Sequence, residues 1–225
     1  RELLTLSRGY GMESVRQRAM STAETVSASL SEVVDDSALE LVVDLRLAFG
    51  RLLAALGANE RAEKEHLDTA ELSLSQGWTE TACAALALAS HAAQARGDRA
   101  SSGRAWRQCR DAMESWPMNR PGERCGILVD AVGDPLVAVQ VLSALAEILV
   151  DGVEEDHSRA PIIREIISRA SEQASRCVSP PQGAVESLAR VEERIAPYGR
   201  GRGGRRRPGS TTTITTDGQA AAGGK

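Results

Sequence analysis

Glu63 and His66 stand three residues apart in Glu63-Lys64-Glu65-His66, a step that puts a carboxylate and an imidazole on one face of a helix. Carboxylate-bridged metal bundles use that step, but they need a second such helix and further glutamates. Neither His91 nor His157 supplies one. The expectation is a solvated helix face carrying intrahelical pairs, with no metal. Gly199-Arg200-Gly201-Arg202-Gly203-Gly204 fits a dinucleotide-binding glycine pattern by letter only. It lacks the preceding strand and following helix that give such a loop its grip on phosphate. Three histidines and many serines include no local nucleophile–base signature. No residue is expected to be catalytic, to bind a cofactor or to ligate a metal.

Two arginine groups carry the remaining chemistry. Arg104, Arg107 and Arg110 recur every third residue beside Trp106, giving a cationic stripe suited to an acidic peptide. Trp78, Trp106 and Trp116 are the only tryptophans. They are expected mainly to plug gaps between helices. The sharper reading makes Trp106 an anchor in a groove with Arg104, Arg107 and Arg110, since tryptophan and arginine are enriched in binding hot spots. Arg200, Arg202, Arg205, Arg206 and Arg207 form a glycine-spaced basic segment resembling those that hold RNA through salt-sensitive phosphate contacts. The plainer reading of that segment is a solubilising extension.

Positioning these residues is a matter for helices. The 225-residue chain has 3% aromatic residues and a single phenylalanine, Phe49, among abundant alanine and leucine. That composition excludes an all-β fold and predicts an all-α one. From Arg200 onward six cations face one anion, Asp217, for a net +5, which leaves −9 on the preceding residues. An acidic body of that kind does not coat nucleic acid by electrostatics. Cys83, Cys109, Cys125 and Cys177 are scattered without a Cys-x-x-Cys, and three of them, Cys83, Cys109 and Cys177, fall in helical patterns. They read as buried small hydrophobes in a reducing cytoplasm. The most apolar run, residues 136–150, is too short for the roughly 20 residues of a membrane span and reads as a core helix. No secretory leader is read at the start, and opening on Arg1 suggests a fragment or a processed product.

Apolar residues at three- and four-residue steps predict about nine helices and no strand. The principal ones cover residues 12–34, 38–56, 60–75, 79–96, 101–116, 123–132, 136–150, 158–178 and 183–195. Ser37 with Glu40, Asn59, Thr79, Asp98 or Ser101, and Asp134 are the expected N-caps. Gly57, Gly77 and Gly97 are the expected stops. Residues 1–196 form one domain. Residues 197–225, Gly/Arg-rich and then Thr/Ala/Gly-rich, bury too little to order and are expected to be disordered.

Two stretches repeat a pattern forty residues apart. Val43–Gln76 contains Gly50, Gly57 and Ala62, and Cys83–Ser115 has Ser90, Gly97 and Ser102 at the same offsets. Small residues on adjoining helices let backbones approach, so stacked antiparallel hairpins bury a common core. With Leu53 and Trp106 at bulky positions, the pair resembles the tetratricopeptide repeat. The offset exceeds that family's roughly 34 residues. The resemblance implies a solenoid that binds a protein or peptide partner, in bacteria often the sensory or regulatory part of a regulator. Partner affinity would come from the surface of the first helices, with the Arg104 stripe adding charge selectivity. The alternatives are an all-α ligand-sensing or dimerisation domain of a transcriptional regulator, and nucleic-acid contact through the basic tail.

Overall fold

The structure, a computed structural model, describes residues 17, 18, 20–22, 25, 28, 29, 38–116 and 119–198. Among them the fold is all-helical, without a strand. The elements are α1 (Leu39–Ala55), α2 (Asn59–Ser75), α3 (Thr79–Ala95), α4 (Arg99–Glu114), α5 (Pro121–Val132), α6 (Pro135–Val150), α7 (Arg159–Ser175) and α8 (Gln182–Ile195), closed by a 3-10 turn at Ala196–Tyr198. The expected helix over residues 12–34 falls largely outside the described residues.

α1 to α4 begin at residues 39, 59, 79 and 99, so the forty-residue offset is two helices of twenty. The turns between them are alike. Gly57, Gly77 and Gly97 have φ of 80°, 73° and 84°, which an L side chain adopts only with strain. In each turn the glycine N–H donates three residues back and the next N–H donates five back, as in Ala58 to the Leu53 carbonyl at 2.9 Å. That pairing satisfies the last carbonyls of one helix and folds the chain into the next. The expected caps Asn59 and Thr79 are instead the first helical residues and make no capping bond. The glycine turn already sets the entry. Asp98 and Asp134 do cap, the former accepting from the Ser101 N–H at 2.9 Å and the latter from Leu136 at 2.8 Å. Ser37 lies outside the described residues, and α1 has no side-chain cap.

Two layers result. The odd helices α1, α3, α5 and α7 touch in that order, and so do the even helices α4, α6 and α8. This is the stacked-hairpin architecture expected from the sequence. α3 packs on α2, α4, α5 and α6 as well as α1, and eight of its seventeen residues are alanine. Small side chains keep interaxial distances short, which is how one helix meets so many neighbours. α6 is buried over most of its circumference by Val, Leu and Ala, as expected of the apolar run at 136–150. Each fully buried aliphatic side chain there contributes about 1.5–3 kcal/mol. No described helix is long and apolar enough to cross a membrane.

Three details depart from expectation. α7 stops at Ser175, so Cys177 sits beyond it, half-buried, because the chain turns toward Pro180-Pro181 sooner than its apolar spacing suggests. α5 starts earlier than expected, with Pro121 at its first position, where the missing N–H costs nothing. Gly50 meets a side chain expected in solvent. It clears space for the His66 ring, which a Cβ at residue 50 would overlap. Ser90 and Ser102 meet as expected, their Oγ atoms 3.0 Å apart across the α3–α4 seam.

Candidate partner-binding site

α4 buries Ala105, Cys109 and Met113 and turns its remaining circumference outward. Residues three apart on a helix drift by about 60°, so Arg104 and Arg110 are separated by about 120°. The arginine stripe therefore straddles the crest of α4. Arg110 and Trp106 enter a cleft on one side, Arg104 enters another on the opposite side, and Arg107 stands exposed. None of the described clefts is lined by all four residues together.

The first cleft, of about 810 Å³, lies between α3, α4, α6 and α8. Its floor is made of small residues that hold neighbouring backbones together. The Ser90 hydroxyl donates to the Ser102 carbonyl at 3.0 Å, and Ser143 donates to the Ala184 carbonyl at 3.1 Å. Trp106, half-buried, forms a wall. Gln94 and Gln140 also line the cleft, and neither amide has a hydrogen-bond partner among the described residues. Arg110 lies 3.7 Å from Glu147, whose other carboxylate oxygen accepts a bond from Ser187. With both partners over a third exposed, that ion pair is worth about 0–1 kcal/mol. Arg110 can exchange it for a ligand carboxylate at little cost. Arg99 adds a second cation on the first turn of α4.

Arg104 is held differently. It donates to the Ser101 hydroxyl at 2.7 Å, which donates to Asp98 at 3.0 Å. The Ser101 N–H and hydroxyl bonds to Asp98 keep that carboxyl below its ordinary range. Arg104 thus braces the N-terminus of α4 as well as bordering the α2–α4 groove, of about 660 Å³.

One cleft on the odd helices carries mainly the opposite charge, with Arg51 as its one lining cation among the described residues. That cleft, of about 540 Å³ between α1, α3 and α5, is bordered by Glu40, Asp44 and Asp130, with Trp78 on its wall. Below them Glu80 is buried and paired with Arg124 of α5, which also donates to the Asn119 carbonyl at 2.9 Å. Arg51 donates to the Ala131 carbonyl at 2.6 Å, at the carbonyl end of α5. The Arg104 stripe and the first-helix surface lie on different layers. Arg104, Arg107 and Arg110 belong to α4 in the even layer, and Glu40, Asp44 and Asp130 to the odd one.

Glu63 and His66 are not a solvated face. Arg96 Nε and Nη2 reach the same Glu63 oxygen at 2.9 and 2.5 Å, tying the end of α3 to α2. His66 is buried against Gly50 with Nδ1 unpartnered, and desolvation, then the Arg51 charge, push its pKa down to about 3. It is a neutral packing ring. Cys83 and Cys109 are buried across the α3–α4 seam, each thiol aimed at the other residue's carbonyl at 3.9 and 3.4 Å. Burial raises Cys125 to about 12. These three thiols pack as small apolar groups. Trp116 is likewise buried.

Arg200, Arg202, Arg205, Arg206 and Arg207 lie outside the described residues, as does the expected disorder of the tail. Sequence reasoning missed Gln94, Gln140, Arg99 and Glu147. They converge only because α6 and α8 pack beside α4, and nothing in their local spacing signals it. No known protein-family model matches the chain, and no curated protein or solved structure matches it either.

Proposed function

We propose that the chain is a non-catalytic protein-interaction domain, a tetratricopeptide-like scaffold that holds an extended peptide of its partner in the cleft between α4, α6 and α8. The observation that carries this reading is one 810 Å³ cleft lined by the half-buried Trp106 together with Gln94 and Gln140, whose amides have no partner among the described residues. A carboxamide offers a donor and an acceptor, the same pair a peptide bond presents. Tryptophan adds a rigid apolar surface on which a side chain can stack. Arg99 and Arg110 favour acidic side chains in the bound segment. A regulatory role follows if the partner is a signalling component.

Panning a displayed peptide library on the full chain tests the reading. The expected ligands are acidic, extended sequences that lose about tenfold or more in affinity against Trp106→Ala and Arg110→Glu. Selected peptides that bind both variants like the native chain would place the site elsewhere. The cleft volume also falls within the roughly 300–1,000 Å³ of small-molecule sites, so a ligand-sensing domain is the second reading. A small-molecule thermal-shift hit abolished by Gln140→Ala, with no peptide selected, would favour it.

A further inference from the structure

Among the described helices, the even layer is open between α2 and α4. α4, α6 and α8 touch in sequence, whereas α2 and α4 are spanned by a groove floored by Leu86 of α3. We propose that this groove docks an amphipathic helix of a partner protein, running antiparallel to α2 and α4, with basic residues in its first turn and aliphatic residues facing inward. The site is separate from the cleft of Trp106 and does not depend on it.

Three observations specify the occupant. Length is the first. The lining runs from Glu63 to Leu74 on α2 and from Ser101 to Ala112 on α4, about 16 Å on each bank, or three helical turns. Composition is the second. Leu74, 50% exposed, with half-buried Leu67 and Ala112, gives the accessible apolar surface, above a floor of Ala70, Leu86 and Ala105 that neighbouring helices already bury. A docked helix would supply leucines at i, i+4, i+7 and i+11 to such a trough. The small residues Ala70, Ala105 and Ala112 leave room for its backbone.

Charge is the third, and it fixes direction. α2 and α4 run parallel, because each helix of the array folds back on the one before it. Glu71 and Asp111 occupy the same level on the two banks, forty residues apart, in the C-terminal half of each helix. Both helix dipoles point their negative ends the same way. Arg104 lies toward the other end, near the start of α4. Glu63 lines that same end, but its carboxylate is already paired with Arg96. A helix whose positive N-terminus and basic first turn meet Glu71 and Asp111, and whose later acidic residue meets Arg104, complements the charges left open.

The test uses the full chain and a synthetic helical peptide of about 18 residues, with leucines at those steps, lysines in the first turn and a glutamate near the C-terminus. A second peptide has the charges exchanged. Fluorescence anisotropy should show saturable binding of the first peptide and at least about tenfold weaker binding of the second. Leu74→Glu should weaken the first by about tenfold or more, and Glu71→Lys with Asp111→Lys should reverse the preference between the two. Trp106→Ala should change neither, which separates this groove from the other cleft. Leu74 is half exposed, and circular dichroism melting confirms that its variant folds. The proposal is overturned if neither peptide saturates, if both bind alike, or if Leu74→Glu binds like the native chain. It is also overturned if sedimentation shows a dimer that Leu74→Glu dissolves, because the groove would then belong to a second copy.

Discussion

α1 to α4 and α5 to α8 build the same layered arrangement by different means. The first four helices are 16 or 17 residues long, joined by three glycine turns of one geometry, and their seams set Val43, Leu47, Leu53 and Met113 among many alanines, serines and cysteines and one buried histidine. The last four differ in length, use proline and aspartate at their starts, and pack through valine, leucine and isoleucine. Small residues stabilise by letting backbones approach, so they depend on the exact absence of atoms. Aliphatic residues stabilise by area removed from water, so they depend on the presence of atoms. The two halves should therefore fail under opposite substitutions, truncation in one and enlargement in the other.

The largest effect is expected from Leu145→Ala in α6, whose fully buried side chain should cost about 4 kcal/mol when truncated. Chemical denaturation measures it. A loss below about 1 kcal/mol would mean that the second half does not rest on aliphatic burial. Next comes the joint between the halves. Arg124→Ala strands the buried carboxylate of Glu80 and should cost about 3 kcal/mol, with a smaller loss in the double variant Arg124→Ala, Glu80→Gln. If the single and double variants unfold at the same denaturant concentration, the pair does not couple α3 to α5.

In the first half, Gly50→Ala adds only a methyl group yet drives it into the His66 ring, for about 2 kcal/mol. A neutral or stabilising outcome would show that the seam tolerates enlargement and would erase the contrast. His66 also gives that half an acid sensitivity. Its pKa is near 6.5 unfolded and about 3 folded, so the unfolded chain binds the extra proton between those values. Stability is full above about pH 6.5 and falls toward pH 3, by at most about 1.4 kcal/mol per pH unit from this group. Unfolding monitored from pH 7 to pH 4 should be less steep in His66→Gln than in the native chain. Parallel curves would remove the histidine from the account. The smallest effect belongs to the cleft itself, where Arg110→Ala should shift stability by less than about 1 kcal/mol because its pair with Glu147 is screened by water. A larger loss would make Arg110 a structural residue and weaken its place in peptide binding.

Much of the frame was legible in the sequence because it depends on neighbours along the chain. The glycine stops at residues 57, 77 and 97, the caps at Asp98 and Asp134, and the apolar helix at 135–150 all follow from local geometry. The site was less legible. Arg104 and Arg110 share a spacing but not a cleft, since three-residue steps wander around the helix. Gln94 and Gln140 are forty-six positions apart and line one cleft only because α6 packs against α3 and α4. His66 looked solvated because its neighbours Lys64 and Glu65 are charged, yet the glycine at position 50 leaves a hole that the ring fills.

Helical periodicity, glycine stops and the excess of alanine and leucine determined that this chain forms antiparallel hairpins, because those signals act within one or two turns of backbone. Which faces remain open was decided by the tertiary structure alone. An open face is a contact not made, and whether α2 meets α4 or α6 lies beside α4 depends on residues distant in the chain packing against a shared third helix.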